Sequence, residues 1–127
     1  MEQFEFHPAT TSPSSSTTRT WTAIEPGIDE MLLNADPATG RRTTLQRWQP
    51  GAANRQSSVF AHDYVEEIYL AEGDLFDVRL GRGWERGAYA YRKPGMEHGP
   101  FRSEWGCLMF ILCIPVGGDG KEVKDER

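Results

Sequence analysis

From Trp21 onward the chain alternates apolar and polar residues in short runs separated by glycine and proline. In RTTLQRW, Thr43, Leu45 and Arg47 fall on one face and Thr44, Gln46 and Trp48 on the other, and Pro50 and Gly51 close the run as a turn. Before it, WTAI leads through an EPG turn to IDEMLLN, which fits a strand or a single helical turn, and Asp36, Pro37 and Gly40 then form a loop. The stretch HDYVEEIYLAEG, from His62 to Gly73, puts Glu66, Ile68 and Leu70 on one face and Glu67, Tyr69 and Ala71 on the other, with Gly73 read as its closing turn. LFDVRL, Leu75 to Leu80, reads as a further strand with GRG as a hairpin turn. AYAYR climbs into the loop KPGMEHGPF, and GCLMFILCIP forms a last strand that is apolar on both faces. Six or seven short strands with no helix of about ten residues predict an all-β sandwich or barrel.

With 127 residues the chain suits a single domain. Residues 1–18 contain the tract TTSPSSSTT and read as a flexible leader, 19–116 as the folded body, and 117–127, GGDGKEVKDER, as a charged, flexible tail. His7 lies in the leader and is set aside from the site. A net charge of -5, with both signs interspersed, offers no basic stripe, so neither nucleic acid nor a membrane is the expected partner. The two cysteines, Cys107 and Cys113, share one face of the last strand and read as reduced core residues. With no signal segment or spanning run, a soluble cytoplasmic protein is expected.

One position in this pattern asks for chemistry. Glu66 shares its face with Ile68 and Leu70, and a carboxylate among aliphatics is costly unless it meets a cation, a metal or hydrogen-bond donors. Arg79 or Arg92 would serve as an ordinary ion-pair partner, leaving His62 to cap a turn and His98 as a loop histidine bonded to backbone.

Two segments together resemble the cupin superfamily of jelly-roll barrels. His62, three residues, Glu66, six residues and Gly73 match the second half of the first cupin motif, and Gly87, Pro94, Gly95 and His98 follow the second motif with spacings shifted by one. PGMEHGPF is similar to the subgroup related to acetylacetone-cleaving dioxygenases and to the cupin half of zinc-binding anti-sigma factors. The resemblance implies a single-domain jelly-roll barrel, often paired as a homodimer, with His62, Glu66 and His98 as metal ligands and catalytic centre. Phe60 stands where the family has its first motif histidine, so three protein ligands remain. Glu67, Gln56 and Asp63 are lesser candidates for a fourth.

Two imidazoles and one carboxylate form a facial-triad ligand set that leaves metal positions open for substrate and oxygen. Fe(II) is the first choice, with Mn, Ni or Zn behind it. The resulting expectation is a metal-dependent enzyme acting on a small organic substrate of aromatic, diketone or polyketide type. Dioxygenase-type oxidative cleavage, isomerisation, decarboxylation and cyclisation all fit. A non-catalytic zinc-binding or small-molecule sensor, and a metal-free acid-base enzyme made possible by Phe60, stay open beside it. Phe60, Tyr64, Tyr91, Phe101, Phe110 and Arg47 are candidate pocket residues. An inward-facing arginine among Arg47, Arg79 and Arg92 would hold a carboxylate or enolate. Both histidines must be neutral to ligate, so metal affinity is expected to fall below a pH of roughly 6.5.

Overall fold

The alternating runs become eight antiparallel strands in the computed structural model, which describes residues 1–55 and 61–116. They are β1 (Thr22–Glu25), β2 (Ile28–Ala35), β3 (Arg42–Trp48), β4 (Tyr64–Asp77), β5 (Arg82–Glu85), β6 (Tyr89–Arg92), β7 (Phe101–Arg102) and β8 (Cys107–Pro115). No helix among the described residues is long and apolar enough to cross a membrane. The segment IDEMLLN, open between strand and helical turn, is the strand β2, zipped to β1 on one side and β3 on the other.

The sheet runs in the order β1-β2-β3-β8-β4-β5, with β6 and β7 also paired to β4. That makes β4 the hub. From Tyr64 to Gly73 it runs along β8, with Glu66 to Tyr69 also paired to β6, and from Asp74 to Asp77 it pairs with β5, with Phe76 and Asp77 also paired to β7. The switch falls at a bulge between Leu70 and Glu72, followed by Gly73 at φ +80°. Gly73 is therefore not the end of a strand, as its sequence context suggested, but the corner inside one. A Cβ there would sit 1.8 Å from the Gly106 carbonyl oxygen, so only glycine lets the two chains cross at this point. The same continuity corrects the expected strand from Leu75 to Leu80. Asp77 ends β4, residues 78–81 make the turn, and Arg82 and Gly83 already belong to β5.

The inner face carries the core. Ile28, Trp48, Ile68, Leu70, Leu75, Phe101, Met109 and Ile111 are buried together with both cysteines. Each such aliphatic or aromatic side chain contributes about 1.5–3 kcal/mol by leaving water. Cys107 and Cys113 are buried free thiols on this inner face. Met31, Leu45, Val65 and Ile114 are also buried, but lie outside that cluster.

The segment read as a leader makes defined contacts with β2. Asn34 exchanges hydrogen bonds with the backbone of Glu2 (3.1 and 2.9 Å), and buried Arg19 donates to the carbonyls of Ala9 and Leu33. The charged tail, Phe60 and Gln56 lie outside the described residues.

Candidate metal centre

Three parts of the chain converge at the start of β4. Glu66 is its third residue and points inward with Ile68 and Leu70, as the alternation requires; only 8% of it is exposed. His62 precedes the strand by two residues, on the same parity. The loop between β6 and β7 supplies His98, which is buried.

That loop is pinned at both ends. The Gly95 amide donates to the His62 carbonyl at 2.7 Å, fastening the Pro-Gly turn to the beginning of β4. At the other end, the fully buried carboxylate of Asp77 accepts from the amides of Leu80 (2.9 Å) and Gly99 (3.2 Å), beside the cis Gly99–Pro100 bond. The His98 ring lies 3.2 Å from the Met96 carbonyl through Nδ1. An Nδ1–H donated there leaves the Nε2 lone pair for a metal.

The donor atoms of His62, Glu66 and His98 lie within 4.8 Å of one another. Metal–nitrogen and metal–oxygen bonds of roughly 2.0–2.2 Å put donors at right angles about an ion, as in a facial set, about 3 Å apart. An ion would draw this set together by about 2 Å or less. Two neutral imidazoles and a carboxylate match divalent ions from Mn to Zn. The donor set fits the group the sequence implied.

Glu66 has a second partner. Arg92, directly across from it on β6, donates from Nη1 to Oε1 at 2.8 Å, while Oε2 faces His62 Nε2 at 3.9 Å. Both side chains are about nine-tenths buried. The ordinary ion-pair partner considered for Glu66 is thus present at Arg92, and it coexists with the two histidines. Arg92 occupies one carboxylate oxygen and leaves the other aimed at the imidazoles.

Aromatic rings hold the histidines in place. His62 stacks on Tyr64 at 4.7 Å with an interplanar angle of 12° and lies 4.8 Å from His98, and Arg92 packs over Phe101 at 5.3 Å. Burial, with help from the Arg92 charge, holds the His98 pKa below its ordinary 6.5, against the opposing Met96 contact. Burial pushes the Tyr64 phenol up to about 12 and the Cys113 thiol up to about 11, so both are neutral at pH 7.

The three side chains open onto a cavity of about 260 Å³ inside the roll. Its deeper wall is apolar, with Ile28, Ile68, Leu75, Met109 and Ile111. Of the candidate pocket residues, Tyr64 and Phe101 line it. Three others do not, and parity is the reason. Arg47 shares the outward face of β3 with Thr43 and Leu45, where it pairs with Asp29 at 3.0 Å and lies 4.1 Å over Trp21. Tyr91 sits beside Glu67 on the outward side of β6, and Phe110 faces out opposite Tyr69. Phe60 lies outside the described residues. Asp63 is exposed, and Glu67 accepts a hydrogen bond from the Tyr89 hydroxyl.

Among the cavity residues not identified as such from sequence are Arg42 and Cys113. Both lie in one cross-strand row with the carboxylate: Arg42 of β3 opposes Cys113 of β8, Cys113 opposes Glu66 of β4, and Glu66 opposes Arg92 of β6. The parity of each strand held this information, but the register between strands did not.

An antiparallel roll folded about one strand, with two histidines and a carboxylate at the mouth of its inner cavity, has the architecture of a cupin. Comparison with solved structures bears this out. The chain matches an RmlC-like cupin from Shewanella frigidimarina with a TM-score of 0.64 and 19% identity, over 94% of this chain and 96% of that one. It matches an acetylacetone dioxygenase from Acinetobacter johnsonii with a TM-score of 0.62 and 14% identity, over 98% and 88%. It also matches the anti-sigma factor ChrR, solved in complex with SigE from Rhodobacter sphaeroides, with a TM-score of 0.58 and 15% identity. That alignment covers 74% of this chain and 49% of the other. A search of curated proteins finds no match. The chain belongs to the family described as the ChrR Cupin-like domain, whose model matches residues 13–117.

Proposed function

We propose that this protein is a metal-dependent cupin enzyme in which His62, Glu66 and His98 hold one divalent ion, Fe(II) in first place, and act on a small organic molecule in the adjoining cavity. The observation that carries this reading is the convergence of the three donors at the cavity mouth. When bound, the ion supplies Lewis-acid chemistry at a carbonyl or enolate oxygen. The protein's own residues prepare the place for it. Arg92 fixes one oxygen of Glu66, the Met96 carbonyl orients His98, and burial keeps that imidazole neutral. With three protein ligands on an ion that takes up to six, substrate oxygens have positions to fill. Dioxygenase-type or tailoring chemistry on a diketone, aromatic or polyketide-like substrate belongs to this reading, as does the homodimer expected from the resemblance.

A second reading is favoured by a different surface. Tyr69, Tyr89, Tyr91 and Phe110 stand exposed together on the outer face of β4, β6 and β8. In that reading the ion is structural zinc and the outer face docks a protein. Metal content separates neither reading by itself, but turnover does.

The test is the metal content of untagged protein after supply of iron, manganese, nickel and zinc, beside that of a His62→Ala, His98→Ala double variant. About one ion per chain in the parent and loss in the variant is expected. Less than about 0.1 ion per chain in the parent removes the metal from the account.

A further inference from the structure

The row Arg42–Cys113–Glu66–Arg92 crosses the inner face of the sheet at a single level, and all four side chains line the cavity. Its two guanidinium groups differ in what they meet. Arg92 is matched by Glu66 at 2.8 Å. Arg42 lies 5.4 Å over the ring of Tyr64 and interacts with its hydroxyl. Two further acids, Glu25 and Glu30, line the cavity. Glu25 accepts from Asn54 Nδ2 and from the Arg55 amide, both at 2.8 Å. Glu30, which pairs in register with Gln46 four residues along β3 from Arg42, also lines the cavity and attracts the Arg42 guanidinium across it without an ion-pair contact. Arg42 is thus a half-buried cation facing the cavity, beside the Tyr64 hydroxyl and the apolar side chains of the cavity wall, with no carboxylate in ion-pair contact among the described residues.

The spacing relative to the metal ligands is also defined. Arg42 and Glu66 are two strands apart in one row, so their Cα atoms are separated by on the order of 10 Å. The long arginine side chain closes part of that gap. A compact molecule with a carboxylate at one end and a carbonyl, enol or phenol oxygen at the other spans the rest.

We propose that Arg42 is the substrate-anchoring residue of this cavity and that the substrate is a small organic acid. Its carboxylate is held by the Arg42 guanidinium beside the Tyr64 hydroxyl, while its second oxygen reaches the ion held by His62, Glu66 and His98. The assignment rests on the metal-centre reading for that second oxygen, and on the cavity alone for the carboxylate. A planar guanidinium suits a carboxylate through paired N–H donors, which gives orientation as well as affinity.

The experiment uses the full chain loaded with zinc and three probes on one phenol frame: 3-hydroxybenzoate, its isosteric amide 3-hydroxybenzamide, and the cationic 3-hydroxybenzylamine. Affinities are measured by calorimetry for the parent, Arg42→Met, Arg42→Lys and the His62→Ala, His98→Ala variant, with zinc content determined for each. The acid is expected to bind at least tenfold tighter than the amide. Arg42→Met brings the two within about twofold while zinc content stays at the parent level, and Arg42→Lys recovers part of the preference. Equal acid affinity in the parent and Arg42→Met, with zinc retained, overturns the proposal, and so does tightest binding of the amine. A parent that holds no zinc yet keeps an Arg42-dependent preference for the acid defeats the metal-centre reading and leaves the carboxylate anchor standing.

Discussion

Glu66 and Glu67 are the same residue type, adjacent in one strand, and they live in different environments. Glu66 points into the roll, is 8% exposed, and meets Arg92, His62 and His98. Glu67 points outward, where its carboxylate meets the Tyr89 hydroxyl, itself on a residue 64% exposed. The alternation of a β-strand separates them by the width of the sheet. Chemistry here is a consequence of parity. A carboxylate on the wet face is screened and replaceable, while one on the dry face has to be matched by positive charge at every stage, from Arg92, from a metal, or from both.

The largest effect should come from breaking the inner member alone. Glu66→Gln is expected to abolish stable metal binding and to destabilise the metal-free protein by about 3 kcal/mol, because Arg92 stays buried without its carboxylate. Glu67→Gln should leave metal binding intact and shift stability by less than about 0.5 kcal/mol. Metal titration and urea unfolding of the two variants check this directly. A cost for Glu67→Gln equal to that of Glu66→Gln would end the distinction.

Removing the partners instead sharpens the comparison. Arg92→Met leaves Glu66 buried without its guanidinium partner and should cost the metal-free protein about 3 kcal/mol, part of which zinc restores by matching the carboxylate. Tyr89→Phe, the corresponding change outside, should stay within about 0.5 kcal/mol with or without zinc. Thermal unfolding with and without the ion gives both answers.

A smaller effect is expected from pH. The pKa of His98 is held below 6.5 in the folded protein, so the unfolded chain takes up a proton before the folded one does. Stability of the metal-free protein is therefore level, with respect to this group, above about 6.5 and falls as pH drops from there through the lower folded value. His98→Asn should flatten that portion of the curve in denaturant titrations at stepped pH. A parent curve that rises on acidification through the same window would contradict the burial argument.

Much of this was legible in the sequence, because a strand's period is a local property. The two faces of β3, the inward placement of Glu66 and the shared face of the cysteines all follow from counting by two. His98 was legible as a candidate because a Pro-Gly turn precedes it. What stayed hidden depends on how strands align. Nothing local places Arg42 and Cys113 beside Glu66, since that row is set by the β3–β8 and β8–β4 registers. Gly73 was misread for a related reason. A glycine with positive φ looks the same in sequence whether it ends a strand or bends one, and only the approach of Gly106 distinguishes the two. Arg47, Tyr91 and Phe110 failed as pocket residues on parity that the sequence did contain, once inward is fixed by Glu66 and its cross-strand neighbours.

The most direct measurement is ion occupancy per chain, by elemental analysis of untagged parent, Glu66→Gln and Glu67→Gln proteins after identical loading with iron, manganese, nickel and zinc. The account expects about one ion in the parent, about one in Glu67→Gln, and less than about 0.1 in Glu66→Gln. Equal occupancy in all three, or none in the parent, would contradict it.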